Sequence, residues 1–386
     1  MGCAHAVARA LPDVIRAESL ATSKVDASQN VDFAKRRLGT REMFDSEYVL
    51  CNTLGTGSFA TVVAARERST GVLEAVKIVG TRISTRDSSK KAREKKRNLK
   101  AAENEVEVWR SIGSHPNIVE LRRVFCDDHC FCMVMEMCEC TVSERLESNP
   151  DVLDCGLPSL LYQMLVSIEA CHAASVVHRD IKPSNYLIGV DGCTVKLCDF
   201  NLSASLLSDH SLVGEFGTPP FMSPEMLNAH RYGTGTDVWS YGSMAYFMLF
   251  GELPYVPAEF TATAAKAIVR AGVPLPKYLC GAPHQRGADG VDFCRWLLQR
   301  DPAQRCSAQG ALVHSYFRAA LDVDRCRGVA DTQSTVCGSI RRTSSRVNTQ
   351  STKHEEEEEE EQQGGGPGEL PADTCCYPLP ARKSVI

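Results

Sequence analysis

Nowhere in the 386 residues does an apolar run approach the roughly 20 positions that a membrane-spanning helix needs. The chain also lacks a strong excess of charge. A formal net charge of −5 singles out neither nucleic acid nor an acidic ligand as its partner. No secretory signal precedes the 18 cysteines, which are scattered through the apparent core (Cys171, Cys193, Cys198, Cys294), so reduced thiols in the cytoplasm are expected and not a disulfide framework. Cys130/Cys132 and Cys138/Cys140 are CxC pairs on strand-like segments, where alternate residues share a face. They read as packing cysteines ahead of metal ligands. The CCY at 375–377 lies too far from the C-terminus for a prenylation box.

What the chain does have is a 43% hydrophobic composition and an abrupt change of texture near Tyr48. Strand-like runs at 47–54, 60–67 and 72–79 are separated by turn signals at Gly57–Ser58 and Thr70–Gly71. Helical patterns follow at 157–175, 237–250, 261–271 and 289–299, and the pattern ends near Phe317. Beyond about 325 come Ser, Thr and Arg, seven consecutive glutamates (355–361), then QQGGGPG, a composition that cannot offset its own chain entropy by burial. The expected organisation is an α+β unit over 46–320, strand-rich to about 137 and helical from 138. Flexible tails at 1–45 and 321–386 flank it.

The chemistry concentrates at HRDIKPSN (178–185) and the DF dipeptide at 199–200. A short loop there carries a carboxylate, an ammonium and an amide, and the next hairpin delivers a second carboxylate. Phosphoryl transfer from ATP needs those parts. Asp180 accepts or orients the acceptor hydroxyl proton, Lys182 neutralises charge on the moving phosphate, and Asn185 and Asp199 offer hard oxygens to magnesium. Upstream, GTGSFATV (55–62) puts Gly55 and Gly57 where a backbone can approach phosphate, with Val62 above the base. In EAVKI (74–78), Ala75 and Lys77 share one strand face, so a small floor lies beside an ammonium that reaches the phosphates. Lys77 needs an anion. In AAENEVEVWRSI (101–112), Glu105, Trp109 and Ile112 fall on one helical stripe, while Glu103 and Glu107 fall on the other side, so Glu105 is the expected partner.

With these motifs in order, the chain resembles the eukaryotic Ser/Thr protein kinases over about 48–318. The resemblance implies a bilobal fold: a small antiparallel-sheet N-lobe (about 46–137) with one main helix, and a larger helical C-lobe (138–320). It also implies ATP and Mg2+ as cofactors, and protein substrates. HPNIVEL (115–121) resembles the loop and strand that follow the main helix, and FCMVMEMC (131–138) a buried strand entering a hinge. Met135 would be the gatekeeper. The backbone of Glu136 and Cys138 would meet the adenine, with Leu54 and Leu187 completing its pocket. GTPPFMSPE (217–225) resembles the end of an activation segment, in which Thr218 would bond Asp180 and Lys182. Asp237 of DVWSYG would hold the catalytic loop, and Arg305 would pair with Glu225. VVHRDIKPSNYLIGVDGCTVKLCDF and the extra segment at 80–100 are similar to the calcium/calmodulin-dependent group, and within it to the kinases that activate other members.

Three positions depart from the kinase pattern. Ala60 replaces a third glycine. Asn201 makes the usual DFG a DFN; Asn is the residue after glycine that best tolerates positive φ. Gly214 stands where many kinases carry an activating phosphate, although Arg179, which would bind it, is present; Ser208, Ser211 or Glu215 are the substitutes to consider. These departures support a second reading, a pseudokinase scaffold that binds ATP or partners. The basic run Lys90–Lys100 reads as a solvated docking insert, and nucleic acid is not an expected partner. No calmodulin-binding helix is evident at 318–330. The opening MGCAHA offers Gly2 and Cys3 for acylation and partial membrane association, although Ala6 departs from the strict pattern.

Overall fold

The fold is built around two layers that meet at a cleft, and the N-terminal layer begins with a helix. The computed structural model describes residues 39–57, 60–80, 89–127, 130–148, 152–206, 211–255, 261–271 and 287–318. The acylation site at Gly2 and Cys3, Ser208, and both tails beyond 39 and 318 lie outside the described residues. Helix α1 (Arg41–Glu47) starts at Thr40, whose side chain accepts from the Met43 N–H. Its one fully buried side chain, Phe44, stacks on Tyr48 at 5.1 Å and meets the edge of Phe125 at 5.4 Å. Helix α1, on the N-terminal side of the expected boundary at 46, thus covers the outer face of the sheet.

That sheet has five antiparallel strands in the order β1-β2-β3-β5-β4: β1 (Tyr48–Thr56), β2 (Thr61–Glu67), β3 (Leu73–Gly80), β4 (Leu121–Cys126) and β5 (Cys130–Glu136). Strand alternation divides its faces. Val76, Cys130, Cys132 and Val134 pack under α1, whereas Ala75 and Met135 join the core on the cleft side. The methyl of Ala60 packs against the cluster of Val79, Ala102, Val106 and Phe131, so the side chain in place of the third glycine has an apolar seat.

Helix α2 runs from Ser89 to Ile112, twice the length expected from the pattern at 101–112. The basic part of the insert is its first half, with Arg93, Glu94, Lys96, Arg97 and Lys100 exposed. Burial begins at Ala102 and continues through Glu105, Val106, Val108 and Trp109. A strongly charged run with good helix formers extends an amphipathic helix into solvent, which its lack of apolar periodicity conceals.

The rear layer holds α3 (Val142–Ser148), α4 (Val152–Ala173), α5 (Pro224–Leu227), α6 (Gly235–Phe250), α7 (Ala262–Ala271), α8 (Gly287–Leu297) and α9 (Ala308–Leu312). Residues 236–249 of α6 are all buried, making it the axis of the layer, and Gly251 ends it at φ 79°. Two small sheets carry the loops of interest: β6 (Cys138–Thr141), β8 (Tyr186–Gly189) and β9 (Val195–Leu197) form one, and β7 (Val176–Val177) pairs with β10 (Ala204–Ser205). The strand-rich front and helical rear are the bilobal kinase architecture. Among the described residues no helix is long and apolar enough to cross a membrane.

Candidate active site

The cleft gathers side chains from both layers. Lys77, on the inner face of β3, places Nζ 2.7 and 3.0 Å from the Glu105 carboxylate and 2.8 Å from Asp199 Oδ1. Glu105 is buried, while Glu103 is half-buried and Glu107 exposed, as the helical phase of α2 dictates. Burial opposes the charge on Lys77, but the carboxylates of Asp199 and Glu105 outweigh it and hold the ammonium above its ordinary range. The same ammonium, with Lys182, keeps Asp199 ionised against its own burial, below the usual carboxylate range. Trp109 fixes the phase of α2: its Nε1 donates to Val119 O at 2.8 Å, and its ring lies 5.3 Å from Phe200. Phe200 in turn meets the edge of His178 at 5.2 Å, so helix, DFN segment and catalytic loop are joined through one chain of ring contacts.

In the loop between β7 and β8, every polar atom of the Asp180 carboxylate has a partner. Oδ1 accepts from Thr218 Oγ1 at 2.8 Å; Oδ2 faces Lys182 Nζ at 2.8 Å and Asn185 Nδ2 at 3.1 Å. Lys182 Nζ also donates to Thr218 Oγ1 at 3.1 Å. The Asn185 amide is oriented by a second bond, 2.8 Å to Asp180 O, which leaves its oxygen as the ligand atom. The loop backbone is anchored from below. Asp237 accepts from the N–H groups of His178 and Arg179, both at 2.8 Å, and contacts His172 Nε2 at 3.0 Å. His172 was not legible as a partner because it projects from the last turn of α4, a helix end without a motif. Arg305 pairs with Glu225 at 2.7 and 3.1 Å, out of solvent.

Ala75 is buried, and Leu54, Val62, Leu187 and Cys138 are half-buried against the same apolar cluster. Gly55 is buried opposite Val62, and Gly57 N–H closes the hairpin onto Ala60 O at 2.9 Å. Glu136 is more constrained than expected. Its N–H donates to Glu120 O at 3.1 Å, and its carboxylate binds Lys196 at 2.9 Å. Of the Glu136 backbone, then, the carbonyl is the atom left for a base to use.

The departures resolve differently from their sequence reading. Positive φ falls on Asp199 (64°) and Arg179 (68°), and Asn201 is not among the described residues with positive φ. The tolerance of Asn for that region is thus not what the DFN segment uses. Its amide oxygen is instead buried and meets no donor among the described residues. Glu215 does not approach Arg179 but is clamped by Lys266 and Arg270, both at 2.6 Å. Ser211 accepts from Arg231 at 2.9 Å.

The donor set tests the fit of magnesium. Asn185 and Asp199 supply one amide oxygen and one carboxylate, hard ligands in the number that Mg2+ takes from protein when phosphates supply the rest. Among the described residues no cluster of three or more His, Cys, Asp or Glu forms a site for a metal held by protein alone. The residues fit.

Comparison with known proteins gives this site its family. Residues 48–317 match the protein kinase domain family. The chain is 30% identical over 277 residues to calcium-dependent protein kinase 20 of Oryza sativa subsp. japonica, covering 71% of this chain and 48% of that protein. It is 31% identical over 312 residues to human calcium/calmodulin-dependent protein kinase type 1B, covering 80% and 84%. With the Drosophila melanogaster calcium/calmodulin-dependent protein kinase type II alpha chain it shares 29% over 286 residues, 71% and 50%. The chain spans about half the length of the calcium-dependent kinases it matches. It belongs to the protein kinase domain family, in the group of calcium- and calmodulin-dependent Ser/Thr kinases.

Proposed function

We propose that this chain transfers the γ-phosphoryl group of ATP to Ser and Thr hydroxyls of other proteins. The observation that carries the reading is the single network joining Thr218, Lys182, Asn185 and Asp180, facing Lys77, Glu105 and Asp199 across the cleft. Asp180 accepts and orients the acceptor hydroxyl, whose proton leaves as the new O–P bond forms and ADP departs. Lys182 stands beside it to neutralise the transferred group, and Lys77 holds the α/β-phosphates. Leu54, Val62, Ala75 and Leu187 sandwich the adenine, with the Glu136 carbonyl and the Cys138 backbone at its edge. Asn185 and Asp199 would hold magnesium, which when bound would neutralise charge on the phosphates.

The second reading, a scaffold without efficient catalysis, has no observation in its favour. It has against it a filled set of ionic and hydroxyl groups at bonding distance. The kinase-kinase resemblance of the catalytic stretch makes other kinases the substrates to assay first. A cytoplasmic location, with partial membrane attachment through Gly2 and Cys3, remains part of the proposal. Purified protein with radiolabelled ATP and a mixed Ser/Thr peptide library should incorporate phosphate, and Asp199→Ala should not. Equal incorporation by both would end the kinase reading.

A further inference from the structure

At the end of the activation segment three consecutive residues lie along two consecutive residues of the catalytic loop. The Phe216 ring covers the Arg179 guanidinium, with 3.9 Å from its carbon to the ring centroid. A Cβ on Gly217 would lie 2.3 Å from the Arg179 carbonyl oxygen, so the two backbones touch there and only glycine fits, at φ 98°. Thr218 then reaches Asp180 Oδ1. The clamp, the close approach and the catalytic hydrogen bond are one continuous contact.

The guanidinium under the ring is half-buried, and its desolvation pulls it below its ordinary range. Its Nε donates to Leu202 O at 2.5 Å, and the Tyr232 hydroxyl bonds it from the side. Among the described residues it makes no ion pair. Asp237 takes the Arg179 backbone N–H, and Glu215, the neighbour of Phe216, is held by Lys266 and Arg270. Gly214 completes the arrangement. Its φ is 101°, and a Cβ there would stand 2.9 Å from Phe216 Cε2. A side chain at 214 would require the edge of the Phe216 ring to shift, in a backbone conformation that favours glycine.

We propose that Phe216 is a positioning residue whose ring holds the Arg179 guanidinium where an anion would otherwise be required, keeping Gly217 and Thr218 seated on the catalytic loop without phosphorylation of the segment. The negative face of an aromatic ring attracts a cation most where water is kept away, and the Phe216 ring covers one face of the half-buried Arg179 guanidinium. This regulation rests on the kinase reading above, and its test separates the two.

The experiment uses the full chain, radiolabelled ATP and the mixed Ser/Thr peptide library, together with amide hydrogen exchange. Phe216→Leu keeps an apolar side chain but removes the π face. Its kcat should fall about 10-fold, with KM for ATP within about twofold of wild type and an unchanged melting temperature. Exchange at 211–218 should quicken while that of 237–250 does not. Phe216→Tyr, which keeps the face, should restore at least half of the turnover. Phosphatase-treated wild type should keep its activity. Unchanged exchange at 211–218 in Phe216→Leu overturns the clamp, as does Tyr failing where Leu fails, or loss of activity after phosphatase. Faster exchange at 211–218 in a protein that transfers no phosphate supports the clamp and removes the kinase reading instead.

Discussion

Lys77 Nζ stands 2.8 Å from Asp199 Oδ1, although 122 positions separate them in the chain. One ammonium is thus shared by two carboxylates, Asp199 and Glu105, in a setting that excludes most water. The excess negative charge is what a bound cation and the Lys182 side chain are placed to balance, and burial with the Asp199 charge pushes the Glu105 carboxyl up. Lys77→Met leaves both carboxylates facing each other without a cation. Phosphate transfer should fall at least 100-fold, and Asp199 should drift from its position. Retention of more than a tenth of wild-type turnover would remove Lys77 from the nucleotide site.

Asp180→Asn keeps the shape of the loop and loses the charge that accepts the substrate proton. Turnover should drop by two to four orders of magnitude, about the worth of a positioned general base. Nucleotide binding, followed by fluorescence of a labelled ATP analogue, should stay within threefold, because the Asp180 carboxylate is held by Thr218, Lys182 and Asn185. A parallel loss of binding would mean that Asp180 organises the nucleotide pocket.

Much of this site was legible because its parts lie at short, fixed spacing on single elements. HRDIKPSN is one loop, the Ala75/Lys77 face is one strand, and the choice of Glu105 followed from helical phase alone. What was not legible depends on chains meeting from a distance. Phe216 has no motif to mark it, since its contact exists only once the Arg179 guanidinium lies beneath its ring. Glu215 was a candidate for Arg179 by proximity in sequence, but backbone direction at Gly214 turns it to α7. Helix α1 was hidden because a seven-residue helix shows little periodicity, and the first half of α2 because its exposed side chains carry no apolar stripe.

Asn201→Gly should leave turnover unchanged or raise it. The side chain that is lost has a buried oxygen with no donor among the described residues, and φ there is not positive, so glycine relieves an unmet polar atom. Against that gain stands the chain entropy of glycine, about 0.5–1 kcal/mol. The melting temperature should therefore move by only a few degrees in either direction, about what 1 kcal/mol does in a domain of this size. A tenfold drop in kcat would show that the amide makes a contact with bound nucleotide or substrate.

Cys130 and Cys132 lie with their sulfurs 3.6 Å apart, and Arg41 Nη1 is 3.4 Å from the first and 3.9 Å from the second. The hydrogen bond from Cys132, helped by Arg41, pulls Cys130 down to about 6, while Cys132 is pushed up. The first proton thus leaves the pair easily and the second does not. By contrast, burial and Glu136 push the hinge thiol Cys138 up to about 12. A lowered value means that thiolate persists as pH falls, so alkylation of Cys130 by iodoacetamide should keep its rate from pH 8 down to about 6 and decline below. Peptide mapping across that range, with Arg41→Ala raising the midpoint, checks it. A midpoint near the ordinary thiol value of about 8.5 would show that the guanidinium does not tune the pair.

The Glu225–Arg305 pair supports a sharper test of what a buried ion pair contributes. Both side chains are out of solvent, and Arg305 also donates to Gly235 O at 2.7 Å and Gln299 O at 2.8 Å, tying the start of α6 to the segment before α9. Glu225→Leu leaves a guanidinium buried without its anion and should destabilise the domain by about 3–5 kcal/mol, lowering the melting temperature by about 6–15 °C. In the double variant Glu225→Leu/Arg305→Met no charge is stranded, so part of that loss should return. The return should be incomplete, because the Arg305 bonds to Gly235 O and Gln299 O are lost as well, and a bond from a charged donor contributes about 1.5–3 kcal/mol. Calorimetric melting of the two single variants and the double variant gives the coupling directly. A double variant no more stable than the worse single one would mean that Arg305 acts through its backbone contacts, and that its pairing with Glu225 is secondary.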